Sequence, residues 1–62
     1  MWVARDKGGS LYAYDSKPIK EESEWVKASD DKEYYCIDES LFPEVKWEDP
    51  EPTEVEIIIK KK

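Results

Sequence analysis

The sequence predicts a small all-β, or β-rich, domain built on a twisted antiparallel sheet of four to five strands with one short helical turn. Two observations support this class. β-Branched and aromatic residues gather in short runs, and clusters of Gly, Pro, Asp and Ser separate these runs. Apolar and charged residues also alternate in the last run, as in a half-buried strand. The expected strands lie near residues 2–6, 10–15, 24–28, 33–38 and 53–60.

The length of 62 residues allows one domain, spanning 1–62. A chain of this size buries only about 60% of the surface that it exposes when unfolded, which leaves little room for a deep active-site cleft. Leu, Ile, Val and Phe together number only twelve, but three Trp and four Tyr can supply much of the missing apolar area. We expect a folded domain of modest stability, with a frayed basic tail at 60–62.

The first two strands are predicted to form a hairpin around Gly8 and Gly9, because glycine tolerates the positive φ of tight turns. If these two glycines are the central residues, the expected core face carries Trp2, Ala4, Leu11 and Ala13. The opposite face then carries Val3, Arg5, Tyr12 and Tyr14. A loop one residue longer would scramble this assignment, since a slip of one residue moves every side chain to the other face.

The middle of the chain reads as a polar connector at 17–23, followed by two strands around a turn at 29–32. This arrangement predicts a meander. Asp38 can cap a single helical turn, which must be short because Pro43 disfavours helical geometry at Phe42. Leu41, Phe42 and Val45 are expected to plug one end of the sheet.

The run at 55–59 is the strongest strand prediction, although Ile58 interrupts its alternation. Ile58 must therefore lie on a second buried face or at an exposed edge. The residues expected in the core are Trp2, Leu11, Trp25, Ile37, Leu41, Phe42, Val55, Ile57 and Ile59.

The residue types argue against catalysis. The chain has no His, which removes the commonest general base and the commonest zinc ligand. No His or Arg lies near Cys36 in sequence, so we expect this residue to be a small buried side chain. With only two glycines the chain also lacks a phosphate-binding loop. We predict no enzymatic activity, no cofactor and no metal site.

Charge separates two hypotheses about function. The chain carries sixteen Asp plus Glu against ten Lys plus Arg, a net charge of −6, which disfavours direct binding to nucleic acid. Such charges usually form a solvated face that keeps a small protein soluble. They could instead imitate a phosphate surface and block a DNA- or RNA-handling enzyme. The candidate contacts are Glu21, Glu22, Glu24, Asp30, Asp31, Glu33, Glu48, Asp49, Glu51, Glu54 and Glu56.

Exposed aromatic residues favour the other hypothesis, a non-catalytic interaction module that binds a protein partner or a second copy of itself. Trp47 precedes an acidic, proline-containing segment, and Tyr12 and Tyr14 are expected on the second sheet face. A contiguous apolar patch on the surface of a small protein commonly marks an interface. The candidate partner surface is Trp47, Tyr12, Tyr14 and Ile58.

Three segments carry a resemblance to other sequences: the opening Met-Trp-Val-Ala-Arg-Asp-Lys-x-Gly-Ser-Leu-Tyr-x-Tyr, Lys-Pro-Ile at 17–19, and Leu-Phe-Pro-Glu-Val-Lys-Trp-Glu-Asp at 41–49. Together they resemble a group of short uncharacterised proteins from gut bacteria and their phages or mobile elements. The resemblance covers residues 1 to about 59. It implies no activity, cofactor or catalytic residue, and a mobile-element context would favour a host-directed interaction protein.

Localisation is predicted from what the sequence lacks. A single Cys excludes an internal disulfide, which favours a reducing compartment. The apolar block at 57–59, like every other apolar run of the sequence, is far shorter than the ~20 residues of a membrane span. The first residues contain neither the basic nor the long apolar region of a signal peptide. We expect a cytoplasmic protein that does not engage membranes.

Overall fold

Residues 6–10 join the first two strands, β1 (Trp2–Arg5) and β2 (Leu11–Tyr14), in a computed structural model that describes residues 1–56. Asp6 and Ser10 extend the pairing by one step, which leaves a three-residue loop at 7–9. The Asp6 N–H donates to the Ser10 carbonyl at 2.8 Å, and the Gly9 N–H donates to the Asp6 carbonyl at 2.9 Å. Gly9 has φ 102°, which L side chains rarely adopt. The loop is therefore one residue longer than a turn centred on Gly8 and Gly9 alone.

This extra loop residue changes which residues of β1 share a face with which residues of β2. Val3 lies opposite Ala13 and Ala4 lies opposite Tyr12, so Val3 shares a face with Leu11 and Ala13. The expected core face, which combined Trp2 and Ala4 with Leu11 and Ala13, is wrong for this reason.

The main sheet contains four antiparallel strands in the order β5-β2-β1-β6, where β5 is Tyr34–Ile37 and β6 is Thr53–Glu54. A separate two-stranded sheet pairs β3 (Ile19–Lys20) with β4 (Trp25–Val26). The all-β class and the four-stranded antiparallel sheet are thus confirmed. The predicted meander is wrong: the strand at 25–26 pairs backwards within the connector at 17–23, where the Glu21 N–H donates to the Glu24 carbonyl at 2.7 Å and closes a tight turn.

One face of the main sheet is covered by the segment that follows β5. Val45 packs against Val3, Leu11 and Ala13, all buried, and further apolar side chains close around this cluster: Met1, Ile37, Phe42 and Val55. Val45 and Phe42 thus join the core, but they cover a face of the sheet and do not plug one end of it as predicted.

Hydrogen-bonded turns replace the helical turn predicted near Asp38. The Leu41 N–H donates to the Asp38 carbonyl at 3.0 Å, and the Val45 N–H donates to the Phe42 carbonyl at 2.9 Å. Phe42 has φ 49°, a left-handed conformation that ends any helical path, and the following Pro43 disfavours the helical alternative. Leu41 is 48% exposed at this bend, so its predicted place in the core is wrong.

The opposite face of the sheet is covered by the β3–β4 hairpin. Ala4, Tyr14 and Trp25 form a second buried cluster, and Trp2, Tyr12 and Trp47 pack against it partly buried. Burial on both faces explains how a chain with few aliphatic residues obtains a core. Of the predicted core, Leu11 and Trp25 are buried, and the partly buried members that pack at the two clusters are Trp2, Ile37, Phe42 and Val55. Ile57 and Ile59 lie outside the described residues.

The Arg5 side chain ties the first covering segment to the sheet, and Lys17 forms an ion pair between two connecting segments. The Arg5 Nε donates to the Val45 carbonyl at 2.7 Å, and its Nη1 donates to the Gly9 carbonyl at 2.8 Å. Lys17 Nζ lies 2.9 Å from Glu51 Oε1, an exposed ion pair. Residues 1–56 contain no helix that is long and apolar enough to span a membrane.

Candidate functional site: a tyrosine cleft

Three tyrosines from two neighbouring strands form one wall of an open cleft. Tyr14 on β2 lies directly opposite Tyr34 on β5, and directly opposed residues in antiparallel strands project from the same face. The Tyr14 and Tyr34 rings stack with centroids 5.9 Å apart, and Tyr12 meets the Tyr34 ring edge-on at 5.7 Å. These separations lie within the range of favourable aromatic pairs. Contacts between the three rings therefore hold this wall together as one aromatic surface.

The β3–β4 hairpin forms the second wall, and two hydrogen bonds fix its position. The Tyr14 hydroxyl donates to the Trp25 carbonyl at 3.1 Å, and the Trp25 backbone N–H donates to Asp6 Oδ1 at 2.8 Å. The space between the walls is about 230 Å³. We call this space the tyrosine cleft, and its lining residues are Asp6, Tyr12, Tyr14, Glu24, Trp25, Val26, Lys27 and Tyr34.

Two carboxylates, Asp6 and Glu24, bring negative charge to the lining of the tyrosine cleft. Burial raises the pKa of Tyr14 well above its ordinary value, and the negative charge of Asp6 and, less strongly, of Glu24 adds to that rise. Tyr14 therefore stays neutral at physiological pH. Lys27 is the single cationic residue in the lining.

A second aromatic site lies beside the tyrosine cleft and already holds a cation from the chain itself. Lys20 Nζ lies 4.3 Å from the Trp47 ring centroid and 5.7 Å from that of Trp25. The same ammonium donates to the carbonyls of Trp47 at 2.7 Å and Asp49 at 3.1 Å. Lys20 thus fixes Trp47 against the hairpin.

The four residues predicted as a partner surface do not come together as one patch. Tyr12 lines the tyrosine cleft partly exposed, whereas Tyr14 is only 2% exposed and serves as its floor. Trp47 is partly buried under Lys20. Ile58 lies outside the described residues.

Sequence reasoning missed Tyr34, which is 51% exposed and the most accessible aromatic side chain of the cleft. It also did not predict that Asp6 and Glu24 line the same cleft as the tyrosines, because this depends on the β3–β4 hairpin folding back over the sheet. A signal for Tyr34 was present, since its strand was predicted correctly. Its partner strand, β2, was not identified, because the turn at 29–32 implied that residues 33–38 pair with the strand at 24–28.

Cys36 is exposed on β5, so the expectation that it is buried is wrong. It lies opposite Tyr12 on an edge strand, where no further strand of residues 1–56 covers it. Within the same range, no group of three or more His, Cys, Asp or Glu side chains is arranged to hold a metal ion. The described chemistry of the cleft is aromatic contact and hydrogen bonding.

Comparison of the chain with protein families, with curated proteins and with solved structures finds no match. The resemblance to short proteins of gut bacteria and their mobile elements therefore stays a prediction.

Proposed function

We propose that this protein is a non-catalytic protein-interaction module that binds a protein partner through the tyrosine cleft. The observation that carries this proposal is the cleft itself, an open aromatic groove whose outer ring, Tyr34, is half exposed. Tyrosine and tryptophan are enriched at protein interfaces because they bury much area at little cost in conformational entropy. Their cross-strand packing holds these rings in place before a partner arrives.

The exposed apolar surface continues from the cleft onto the β3–β4 hairpin. Val26 lines the cleft and lies opposite Ile19, which is 51% exposed. Ile19 and Tyr34 are two of the three large apolar side chains that stand out among residues 1–56; the third, Leu41, lies on the segment that covers the opposite sheet face. A partner that covers the cleft would bury both Ile19 and Tyr34.

The test compares affinity capture from the native host with the wild-type protein, Tyr34→Ala and Leu41→Ala. Both variants remove an apolar side chain of similar exposure, so they differ mainly in position. We expect one partner, or a second copy of the chain, to be lost on Tyr34→Ala and retained on Leu41→Ala. Circular dichroism checks that each variant is folded. Equal retention by both variants contradicts the proposal.

An acidic inhibitor that imitates nucleic acid is the second candidate. It is favoured by the exposure of ten of the eleven carboxylates proposed as contacts, Asp49 alone being partly buried. Charge-driven docking weakens steeply with ionic strength, since salt screens it over a Debye length of ~8 Å at 0.15 M. Partners that bind regardless of Tyr34 and elute at high salt, all of them proteins that handle nucleic acids, would favour this candidate over the first.

A further inference from the structure

We propose that the tyrosine cleft recognises a cationic side chain, a Lys or Arg carried by an extended segment of the protein partner. This inference rests on the proposed function and names the chemistry of its ligand. It follows from the rings, the carboxylates and the strand edge that meet at the cleft.

The rings supply the first part of such a site. Aromatic faces carry negative charge density and attract ammonium and guanidinium groups within about 6 Å of the ring centroid. Tyr12, Tyr14, Tyr34 and Trp25 all line the cleft. Tyr14 and Trp25 are almost fully buried, so a cation that enters the cleft would meet mainly the rings of Tyr12 and Tyr34.

The carboxylates supply the second part. Asp6 and Glu24 line the same space, and one oxygen of Asp6 already accepts the Trp25 N–H. A bound cation would be attracted by the ring faces and by these two negative charges, which outnumber the single positive charge of Lys27 in the same lining. An anionic side chain would meet repulsion from the same two groups, and an apolar one would gain only contact area.

The chain itself provides a precedent for this chemistry. Lys20 Nζ lies over Trp47 and Trp25 while donating to two backbone carbonyls, and Lys17 Nζ lies 5.8 Å from the Trp2 ring centroid. All three cation–π contacts found within residues 1–56 fall on tryptophans. The tyrosine rings in the described part of the chain have no such cation above them, and of the cleft tyrosines Tyr34, half exposed, and Tyr12, partly exposed, can be reached by a partner.

The edge of the sheet supplies the third part and argues for an extended ligand. β5 is the outer strand of the main sheet, and Tyr34 on this strand forms the rim of the cleft. Among residues 1–56 no strand pairs with the outer side of β5. An extended segment can add to such an edge through backbone hydrogen bonds and present every second side chain to one face. A basic residue on that face would stand beside the Tyr34 ring, at the rim of the cleft.

The experiment titrates labelled protein with peptides of one design, acetyl-Thr-Val-Thr-X-Thr-Val-Thr-amide, followed by NMR chemical shifts. X is Lys, Arg, norleucine or Glu; norleucine matches the length of lysine without its charge. We expect the Lys and Arg peptides to shift the signals of Tyr12, Tyr34 and Trp25. They should bind roughly tenfold more tightly than the norleucine peptide, with no binding of the Glu peptide.

Variants locate the binding to the cleft. Tyr34→Leu should weaken the Lys peptide at least severalfold, and Tyr34→Phe, which keeps the ring, should recover most of the lost affinity. Glu24→Gln should weaken it as well. Glu54→Gln is the matched control, because it removes an exposed carboxylate from β6 at the opposite edge of the sheet.

Three results overturn the inference. The Lys and norleucine peptides could bind with equal affinity, or the chemical-shift changes caused by the Lys peptide could be confined to the acidic turns. The third is that no peptide binds at about 1 mM, a concentration that corresponds to weak affinity. Each leaves the proposed function standing if Tyr34→Ala still abolishes capture of a partner. If that dependence is also absent, both proposals fail.

Discussion

Arg5 shows how a single side chain can replace regular secondary structure. The segment that covers the first sheet face turns repeatedly and leaves carbonyls without strand or helix partners. The guanidinium of Arg5 donates to three of them, on Val45, Leu41 and Phe42, at distances from 2.7 to 3.3 Å. It also donates to the Gly9 carbonyl in the hairpin loop. Arg5 thus links the loop and the covering segment to β1, some forty residues away in sequence.

Arg5→Lys should lower the free energy of unfolding by about 1–3 kcal/mol, because one ammonium cannot serve carbonyls that the planar guanidinium reaches in several directions. That loss is a large fraction of the roughly 3–9 kcal/mol expected for a domain of this size. Urea unfolding at neutral pH measures it. Lys7→Gln is the control, because it changes an exposed cation of the same loop that donates none of these hydrogen bonds. A loss as large as that of Arg5→Lys would show that the loop is sensitive to any substitution, and would contradict a special role for the Arg5 guanidinium.

The Tyr14 hydroxyl makes stability depend on alkaline pH. Its pKa is raised in the folded protein, first by burial and then by nearby negative charge. The contribution of Tyr14 to the free energy of unfolding is fully present below the ordinary tyrosine pKa of about 10, where Tyr14 is neutral in both the folded and the unfolded chain. Above that pH the unfolded chain releases the proton and the folded one keeps it, so stability falls until the folded pKa is reached.

We therefore expect the free energy of unfolding to decline more steeply between about pH 10 and 11 in the wild-type protein than in Tyr14→Phe. The variant should also be less stable at neutral pH by about 1 kcal/mol, since it loses the hydrogen bond to the Trp25 carbonyl. Urea unfolding at a series of pH values provides both comparisons. Parallel pH profiles of the two proteins would contradict the assignment to Tyr14.

At the scale of the elements, the length of the first loop determines which residues face the cleft. With the observed three-residue loop, Tyr12 and Tyr14 share a face with Trp2 and Ala4, and that face receives the β3–β4 hairpin. Gly9 makes this loop possible through its φ of 102°.

Gly9→Ala should destabilise the protein by about 1 kcal/mol or more, because alanine is strained at this φ even though no atom lies within 4 Å of its Cβ. Gly8→Ala is a close control: its Cβ would also meet open space, and its φ is not positive. It should be neutral or stabilising by up to about 0.5 kcal/mol, because alanine restricts the unfolded chain. Thermal unfolding distinguishes the two, and equal effects would exclude a role for the backbone conformation of Gly9.

The same loop illustrates how far local sequence specifies this fold. Four of the five predicted strands have clear counterparts, since runs of β-branched and aromatic residues between turn signals are local information. The fifth is matched only at its start by β6: Val55 and Glu56 lie outside the strand, and the rest of the run at 55–59 lies outside the described residues. Which strand pairs with which depends on contacts between distant residues. β5 pairs with β2 rather than with its neighbour in sequence, and β3, a two-residue strand within a polar connector, had no local signal.

The candidate site was predictable to the same extent. Tyr12 was identified because alternation placed it on a second sheet face, and Tyr14 was identified with it. The structure shows that Tyr14 is buried beneath the β3–β4 hairpin, which the sequence did not indicate. Tyr34, Asp6 and Glu24 join them only through long-range pairing. A site assembled from three separate segments is visible only once the register of the sheet is known.

For the molecule as a whole the net charge is −6, and residues 1–56 alone carry seven Lys plus Arg against sixteen Asp plus Glu, a net charge of −9. The longest dimension of the protein is about 33 Å. The Debye length is ~30 Å at 0.01 M salt, so nearly all of these charges repel one another; at 0.15 M it is ~8 Å and only neighbours interact. The unfolded chain separates its charges further and suffers less repulsion. Lys17–Glu51 is the one ion pair formed within residues 1–56, and exposed pairs of this kind contribute little.

Added NaCl should therefore stabilise the folded protein, raising the free energy of unfolding by on the order of 0.5 kcal/mol or more between 0.01 and 0.15 M. Urea is the denaturant to use, because guanidinium is itself a salt. The double variant Glu21→Gln and Glu22→Gln removes two exposed carboxylates from the β3–β4 turn and should gain less from salt. A decrease of stability with salt would show instead that attraction between opposite charges outweighs the net repulsion, in which case the acidic surface contributes to holding the fold together.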